Sequence, residues 1–208
     1  GRDRVFISEL IGHPDPDISF LGNFIFENVF VHYTAKQWGM PVSEVDTSVI
    51  NRVPVVLGGD DRYFADTIQM MPTEGYTPIF EKILAHPNIH VILESDAMDR
   101  IKIDPDEREL LFDGAPFTGP VCLSGPVDEF FRYSLGTLPY RSLDMKFEDL
   151  PVDYYQPASV VNYPNEELFT LITEFKHMTL QVLPGHTTIL KEYPIPYRPG
   201  GLFSPYYP

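Results

Sequence analysis

Between Ile18 and Tyr33 the apolar residues Leu21, Phe24, Ile25, Val29 and Phe30 recur at helical spacing, which predicts an amphipathic helix. Pro41-Val42-Ser43-Glu44-Val45 predicts the start of a shorter one, with proline in the first turn, where its missing N–H is not needed. Thr77-Pro78 opens a third through Ile79, Phe80, Ile83 and Leu84. It stops before His86-Pro87, because the residue ahead of a proline avoids the α region. The pattern then changes. Ile89-His90-Val91-Ile92-Leu93 predicts a short buried strand, as does Pro120-Val121-Cys122-Leu123-Ser124-Gly125. Between them, Ile101-Lys102-Ile103 and Glu109-Leu110-Leu111-Phe112 flank an acidic turn at Asp104-Pro105-Asp106, and Asp113-Gly114 ends that hairpin. From Tyr133 onward the stretches Leu143–Phe147, Ser159–Asn162, Leu171–Lys176 and Thr187–Glu192 predict an antiparallel sheet. Helices followed by strands argue an α+β fold rather than a repeating βαβ array.

This pattern divides the chain into a mainly helical lobe over residues 1–86, a strand–hairpin–strand section over 87–131, and an antiparallel sheet lobe over 132–208 with a Pro/Tyr-rich tail. The middle section reads like the return of a dinucleotide-binding chain to its nucleotide-binding sheet. Such a sheet normally begins with a Gly-rich phosphate loop, and no Gly-x-Gly-x-x-Gly occurs in the sequence. Either the fold is a different one, or its opening βαβ unit lies upstream of Gly1.

Composition narrows the functions available. The chain has 208 residues, 43% of them hydrophobic, enough to bury a core. No apolar run approaches the length of a membrane span and no signal peptide opens the chain, so no membrane partner is expected. The lone Cys122 rules out a disulfide framework within the chain and suits the cytoplasm. The formal net charge of -15 argues against nucleic-acid binding. It also means that an anionic ligand must be held by local cations against an unfavourable overall field. Two metal-like patterns fail. His86 and His90 have helical ligand spacing, but Pro87 lies between them; Asp104, Asp106, Glu107 and Glu109 lack the glycine and spacing of a calcium loop.

Several motifs stand in a fixed order. They are Tyr33-Thr34-Ala35-Lys36-Gln37-Trp38-Gly39, Arg52-Val53-Pro54 with Asp60-Asp61-Arg62-Tyr63-Phe64, and Pro139-Tyr140-Arg141-Ser142-Leu143. Val160-Val161-Asn162-Tyr163, Glu174-Phe175-Lys176-His177, Lys191-Glu192-Tyr193-Pro194 and Pro205-Tyr206-Tyr207-Pro208 follow. Together they resemble the UDP-galactopyranose mutase family over almost the whole chain. The resemblance implies a three-domain flavoenzyme whose flavin-binding N-terminal unit and C-terminal segment lie outside these 208 residues. It implies reduced FAD as cofactor, UDP-galactose and UDP as ligands, a homodimer, and conversion of UDP-galactopyranose to UDP-galactofuranose by attack of the flavin on the anomeric carbon. The isolated chain is expected to be inactive and to purify without flavin.

The same resemblance assigns roles. Phe30, Tyr33, Thr34 and Trp38 would cradle uridine, since a flat apolar platform with polar edges suits a pyrimidine. Arg52 would bind the diphosphate through paired donors, assisted by the hydroxyls of Tyr63 and Tyr207. Arg62 reads better as a surface partner of Asp60 or Asp61. Arg52, Asn162 and Glu192 are the expected catalytic set, with Asn162 also on the flavin side. Arg141 would face the flavin, although a buried arginine satisfying loop carbonyls reads equally well. One departure stands out. The family usually carries Tyr-Thr-Arg where this chain has Phe169-Thr170-Leu171. Leucine cannot bind phosphate, so a degenerate, non-catalytic UDP-sugar binder is the alternative. A flavin oxidoreductase of the amine-oxidase type is disfavoured by the Trp38, Arg52 and Tyr63 set.

Overall fold

A computed structural model describes residues 3–59, 66–104, 106 and 108–207. The fold is α+β, with short helices and antiparallel sheets, in two compact units: Gly1–Met71 with Pro139–Pro208, and Pro72–Leu138.

In the first unit, a two-residue pair of β1 (Arg4–Val5) and β2 (Val55–Val56) brackets α1 (Ile7–Ile11), α2 (Pro16–Ile25), a π-helical turn (Phe26–Val31), α3 (His32–Trp38), a 3-10 turn (Val42–Glu44) and α4 (Thr47–Ile50). Asp15 starts α2: its carboxylate accepts from the amides of Asp17 and Ile18, and Pro16 occupies the first turn. Residues 25, 26, 31 and 32 keep right-handed helical angles, so one helical run continues from Pro16 to Trp38. It ends at Gly39, whose φ of 69° is the left-handed cap conformation. α1 docks on α2 at Gly22, where an added Cβ would lie 2.6 Å from the backbone carbon of Leu10. Ile7 and Leu10 are buried there. The predicted helix is therefore present, but Leu21, Phe24 and Val29 of its apolar stripe are exposed. Each keeps about half of its surface open.

The sheet of this unit has the order β6-β9-β8-β7, from β6 (Arg141–Leu150), β7 (Val160–Asn162), β8 (Leu171–Glu174) and β9 (Thr187–Pro196). β6 and β9 pair along their full lengths, from Arg141 opposite Pro196 to Leu150 opposite Thr187. Leu143, Ile172, Ile189 and Leu190 form the buried apolar part, interleaved with buried Ser142, Thr170, Thr173 and Thr187. A polar corner closes the sheet where β8 meets α8 (Lys176–Thr179). Glu174 is fully buried and accepts from the amides of Tyr155 and Gln156, at 3.0 Å each, and from the Thr187 hydroxyl. Lys176 is buried too and donates to the carbonyls of Asp153, Leu183 and His186. Buried charges persist only when so satisfied, and these two tie the loops on either side of β8 to it.

The second unit holds α5 (Thr77–Leu84), α6 (Ala97–Arg100), β3 (Ile101–Ile103), β4 (Leu110–Phe112), β5 (Ala115–Pro116) and α7 (Val127–Phe130), with β3, β4 and β5 in one antiparallel sheet. The hairpin turns at Asp113-Gly114, both at positive φ. The two buried strands predicted at Ile89–Leu93 and Pro120–Gly125 are corrected here: neither run is a strand. Ile89, Val91, Ile92, Leu93, Val121 and Leu123 are exposed. A strand exists only with a ladder partner, and none of the described residues pairs with either run.

Candidate functional site

Helical spacing builds the first wall of a cleft of about 430 Å³ in the first unit. Phe30, Tyr33, Thr34, Gln37 and Trp38 stand three and four residues apart and so share one face of the run through α3. The opposite wall comes from α4 and the turn after it, through Val49, Ile50, Arg52 and Val53. Asp46 caps α4 by accepting from the Ser48 amide, and the Arg52 amide donates to the Val49 carbonyl, closing the turn that carries Arg52. Thr170, Leu171 and Glu192 are the sheet's contribution, and Tyr206 and Tyr207 complete the lining.

The anchors of this cleft are strong. The Lys36 ammonium, on the far side of α3, donates to the carbonyls of Tyr163, Glu167 and Phe169. Burial holds its pKa below the ordinary lysine value. Arg141 donates from Nε to the Gln37 carbonyl at 2.9 Å and from Nη2 to the Lys36 carbonyl at 3.3 Å. The Tyr207 hydroxyl donates to the same Gln37 carbonyl at 2.9 Å. Burial pushes the Tyr207 phenol up to about 12, so it keeps its proton. Its ring meets Trp38 edge to face with centroids 5.4 Å apart.

Charge inside the cleft is sparse. Arg52 is the one cation, and Glu192 the one anion, among the described lining residues. Burial raises the Glu192 carboxyl above its ordinary value. Glu192 stands in a cross-strand row, since Asn162 pairs with Leu171 and Leu171 with Glu192. The leucine noted in the sequence therefore sits between two expected site residues and lines the cleft itself.

The structure thus brings Phe30, Tyr33, Thr34, Trp38, Arg52, Glu192 and Tyr207 together around one cleft. Asn162 is exposed, one strand beyond the lining. The Arg141 guanidinium is engaged with helix-end carbonyls just behind it. Tyr63 lies outside the described residues. Gln37, Val49, Ile50, Val53, Thr170 and Tyr206 line the cleft without having been singled out. Gln37, Val53, Thr170 and Tyr206 sit inside the motifs named above, and helical spacing from Tyr33 and Thr34 could have found Gln37. A larger groove of about 630 Å³ in the second unit, between α6–β3 and the residues around Phe130, gathers none of the expected residues. Among the described residues, no group of three or more His, Cys, Asp or Glu side chains could hold a metal ion, and no helix is long and apolar enough to cross a membrane.

The chain is similar to known sugar-nucleotide mutases. The chain is 36% identical over 192 residues to a UDP-galactopyranose mutase of Mycoplasma pneumoniae, covering 90% of the chain and 47% of that protein. It is 34% identical over 195 residues to a dTDP-fucopyranose mutase of Escherichia coli, covering 90% and 50%. It is 36% identical over 176 residues to a UDP-galactopyranose mutase of Mycoplasma genitalium, covering 84% and 43%. The chain therefore spans about half the length of these curated relatives. Residues 28–208, which contain every described residue assigned above to a ligand, match the family described as UDP-galactopyranose mutase, and the chain belongs to that family.

Proposed function

We propose that the cleft holds the nucleoside diphosphate of a sugar nucleotide, and that the full protein interconverts UDP-galactopyranose and UDP-galactofuranose. The observation that carries this reading is the meeting of an aromatic wall with one arginine in a single cleft. Trp38, Tyr33 and Phe30 offer flat faces to a pyrimidine, and Thr34 and Gln37 offer polar edges. Arg52 supplies a permanent charge with paired donors for phosphate oxygens. The remaining walls are largely apolar, which strengthens that attraction by lowering the local dielectric.

The reaction is proposed to need reduced FAD. The chain's own residues fit the edge of a flavin ring: Asn162 presents an exposed carboxamide, both donor and acceptor, in the same cross-strand row as Glu192. When bound, reduced flavin supplies the electron pair that displaces the nucleotide from the anomeric carbon. The chain's part is binding and electrostatics. Arg52 balances the charge on the departing diphosphate, the aromatic wall holds the base, and Glu192 lies where it can bond a sugar hydroxyl.

Leu171 supports a second reading, a sugar-nucleotide binder without turnover, because it leaves Arg52 as the sole described cation of the cleft. The name of the Escherichia coli relative supports dTDP-fucopyranose as an alternative substrate. One assay separates these. The full-length protein, reduced with dithionite, is given UDP-galactofuranose or dTDP-fucofuranose, and pyranose product is followed by chromatography. Turnover of the first is expected. Turnover of the second alone would move the substrate, and UDP binding without turnover of either would support the binder.

A further inference from the structure

The end of α3 poses a problem that any helix end poses. The carbonyls of its last residues have no partners within the helix. Here two of them, from Lys36 and Gln37, are taken by one side chain, the Arg141 guanidinium, a cation placed at the negative end of the helix dipole. Trp38 is the next residue and the last of α3, so the direction of its indole follows the geometry of this helix end.

Arg141 also holds the segment that faces Trp38. Its amide donates to the Tyr207 carbonyl at 2.7 Å, and its carbonyl accepts from the Tyr206 amide at 2.9 Å. The neighbouring Ser142 is buried and donates its hydroxyl to the Ser204 carbonyl. Tyr207 then reaches back across the gap to bond the Gln37 carbonyl already held by Arg141. Main chain and side chain of one residue thus grip both halves of the aromatic lining. The approach is close: a Cβ added to Gly39 would lie 2.5 Å from Arg141 Nη1, so a side chain there would push the guanidinium aside, and the φ of 69° itself favours glycine.

We infer that Arg141 is the positioning residue of the cleft's aromatic wall, fixing the end of α3 against the 204–207 segment so that Trp38 and Tyr207 form one surface for the ligand's base. It acts through Trp38 and Tyr207 and does not touch the nucleotide. The affinity part of the test rests on the UDP reading above; the positioning part does not.

The test uses the full-length protein labelled with 5-fluorotryptophan, with the Trp38 fluorine resonance identified by its loss in Trp38→Phe. Arg141→Met removes the donors and keeps much of the bulk. It is expected to shift or broaden the Trp38 resonance without ligand and to weaken UDP roughly tenfold, the scale of one lost charged hydrogen bond. Arg141→Lys keeps a cation at the helix end and is expected to fall between parent and Arg141→Met in both readouts. Tyr207→Phe removes only the third tie and is expected to move the same resonance by less. Should Arg141→Met not fold, Arg141→Lys and Tyr207→Phe decide the question by the same two readouts. An unmoved Trp38 resonance overturns the inference: with weakened UDP binding it would place Arg141 on the ligand, and with unchanged binding it would leave the residue no role in the cleft. If the parent does not bind UDP, the functional reading fails, while the resonance still judges the positioning.

Discussion

Glu174 shows how a single buried charge is made tolerable. Burial alone would push its carboxyl upward, but the Thr187 hydroxyl, the Tyr155 and Gln156 amides and the nearby His177 outweigh that and hold it below the ordinary carboxylate value. The sign of the pH effect follows. A group whose folded pKa is depressed adds stability above its unfolded value, near 4.3 for glutamate, and loses it as pH falls through the folded value. Denaturant midpoints measured against pH should therefore drop below roughly pH 4, and Glu174→Gln should flatten that drop. Glu174→Ala at neutral pH should cost about 3 kcal/mol, since it strands two buried donors, the Gln156 amide and the Thr187 hydroxyl, and the part-buried Tyr155 amide; a cost near zero would show that the corner is not under load. At this scale the sequence was legible where chemistry needs a rare residue type. The only tryptophan and a motif-borne arginine both meet in the cleft. Lys36 was harder to read, because its partners are backbone carbonyls, which have no residue identity to recognise; for Arg141 the carbonyl-bonding role is one of the two that the sequence offered.

Among the elements, the four-stranded sheet was the easiest to foresee, because β7, β8 and β9 carry β-branched residues and β6 alternates apolar Leu143, Met145 and Phe147 with charged neighbours. The helical run was legible as a helix, but not in its burial. Periodicity reports which residues share a face and says nothing of what that face meets, and Leu21, Phe24 and Val29 remain exposed. The Ile89–Leu93 run failed for a related reason: hydrophobicity marks a segment able to be a strand, and pairing makes it one. Gly22 is the contact that sequence could not reveal, since its value lies in the α1 backbone packed against it. Gly22→Ala should lower stability to urea by about 1–3 kcal/mol, the usual cost of forcing atoms into a filled contact. An unchanged midpoint would show that α1 can move away at no cost.

Seen as a whole, the molecule is uneven. Among the described residues, every buried apolar side chain belongs to the unit formed by Gly1–Met71 and Pro139–Pro208, and Asp128 is the only described residue of Pro72–Leu138 that is buried. A unit with so little buried apolar surface opens locally at low cost. Limited proteolysis of the 208-residue chain should cut first within residues 72–138, and fragment masses read by mass spectrometry would show it; first cuts within β6 or β9 would reverse the ranking. The overall charge of -15 bears on the site as well. It opposes any diphosphate, so affinity must come from donors close to the phosphates, and Arg52 is the one described cation lining the cleft. The most direct measurement is calorimetric titration of UDP into the full-length protein and its Arg52→Ala, Arg52→Lys and Trp38→Ala variants at one ionic strength. Arg52→Ala should weaken binding by about 2–4 kcal/mol, Arg52→Lys should recover part of that, and Trp38→Ala should cost about 1–3 kcal/mol as lost stacking. If Arg52→Ala binds UDP as tightly as the parent, the diphosphate is held elsewhere and the assignment of this cleft is contradicted.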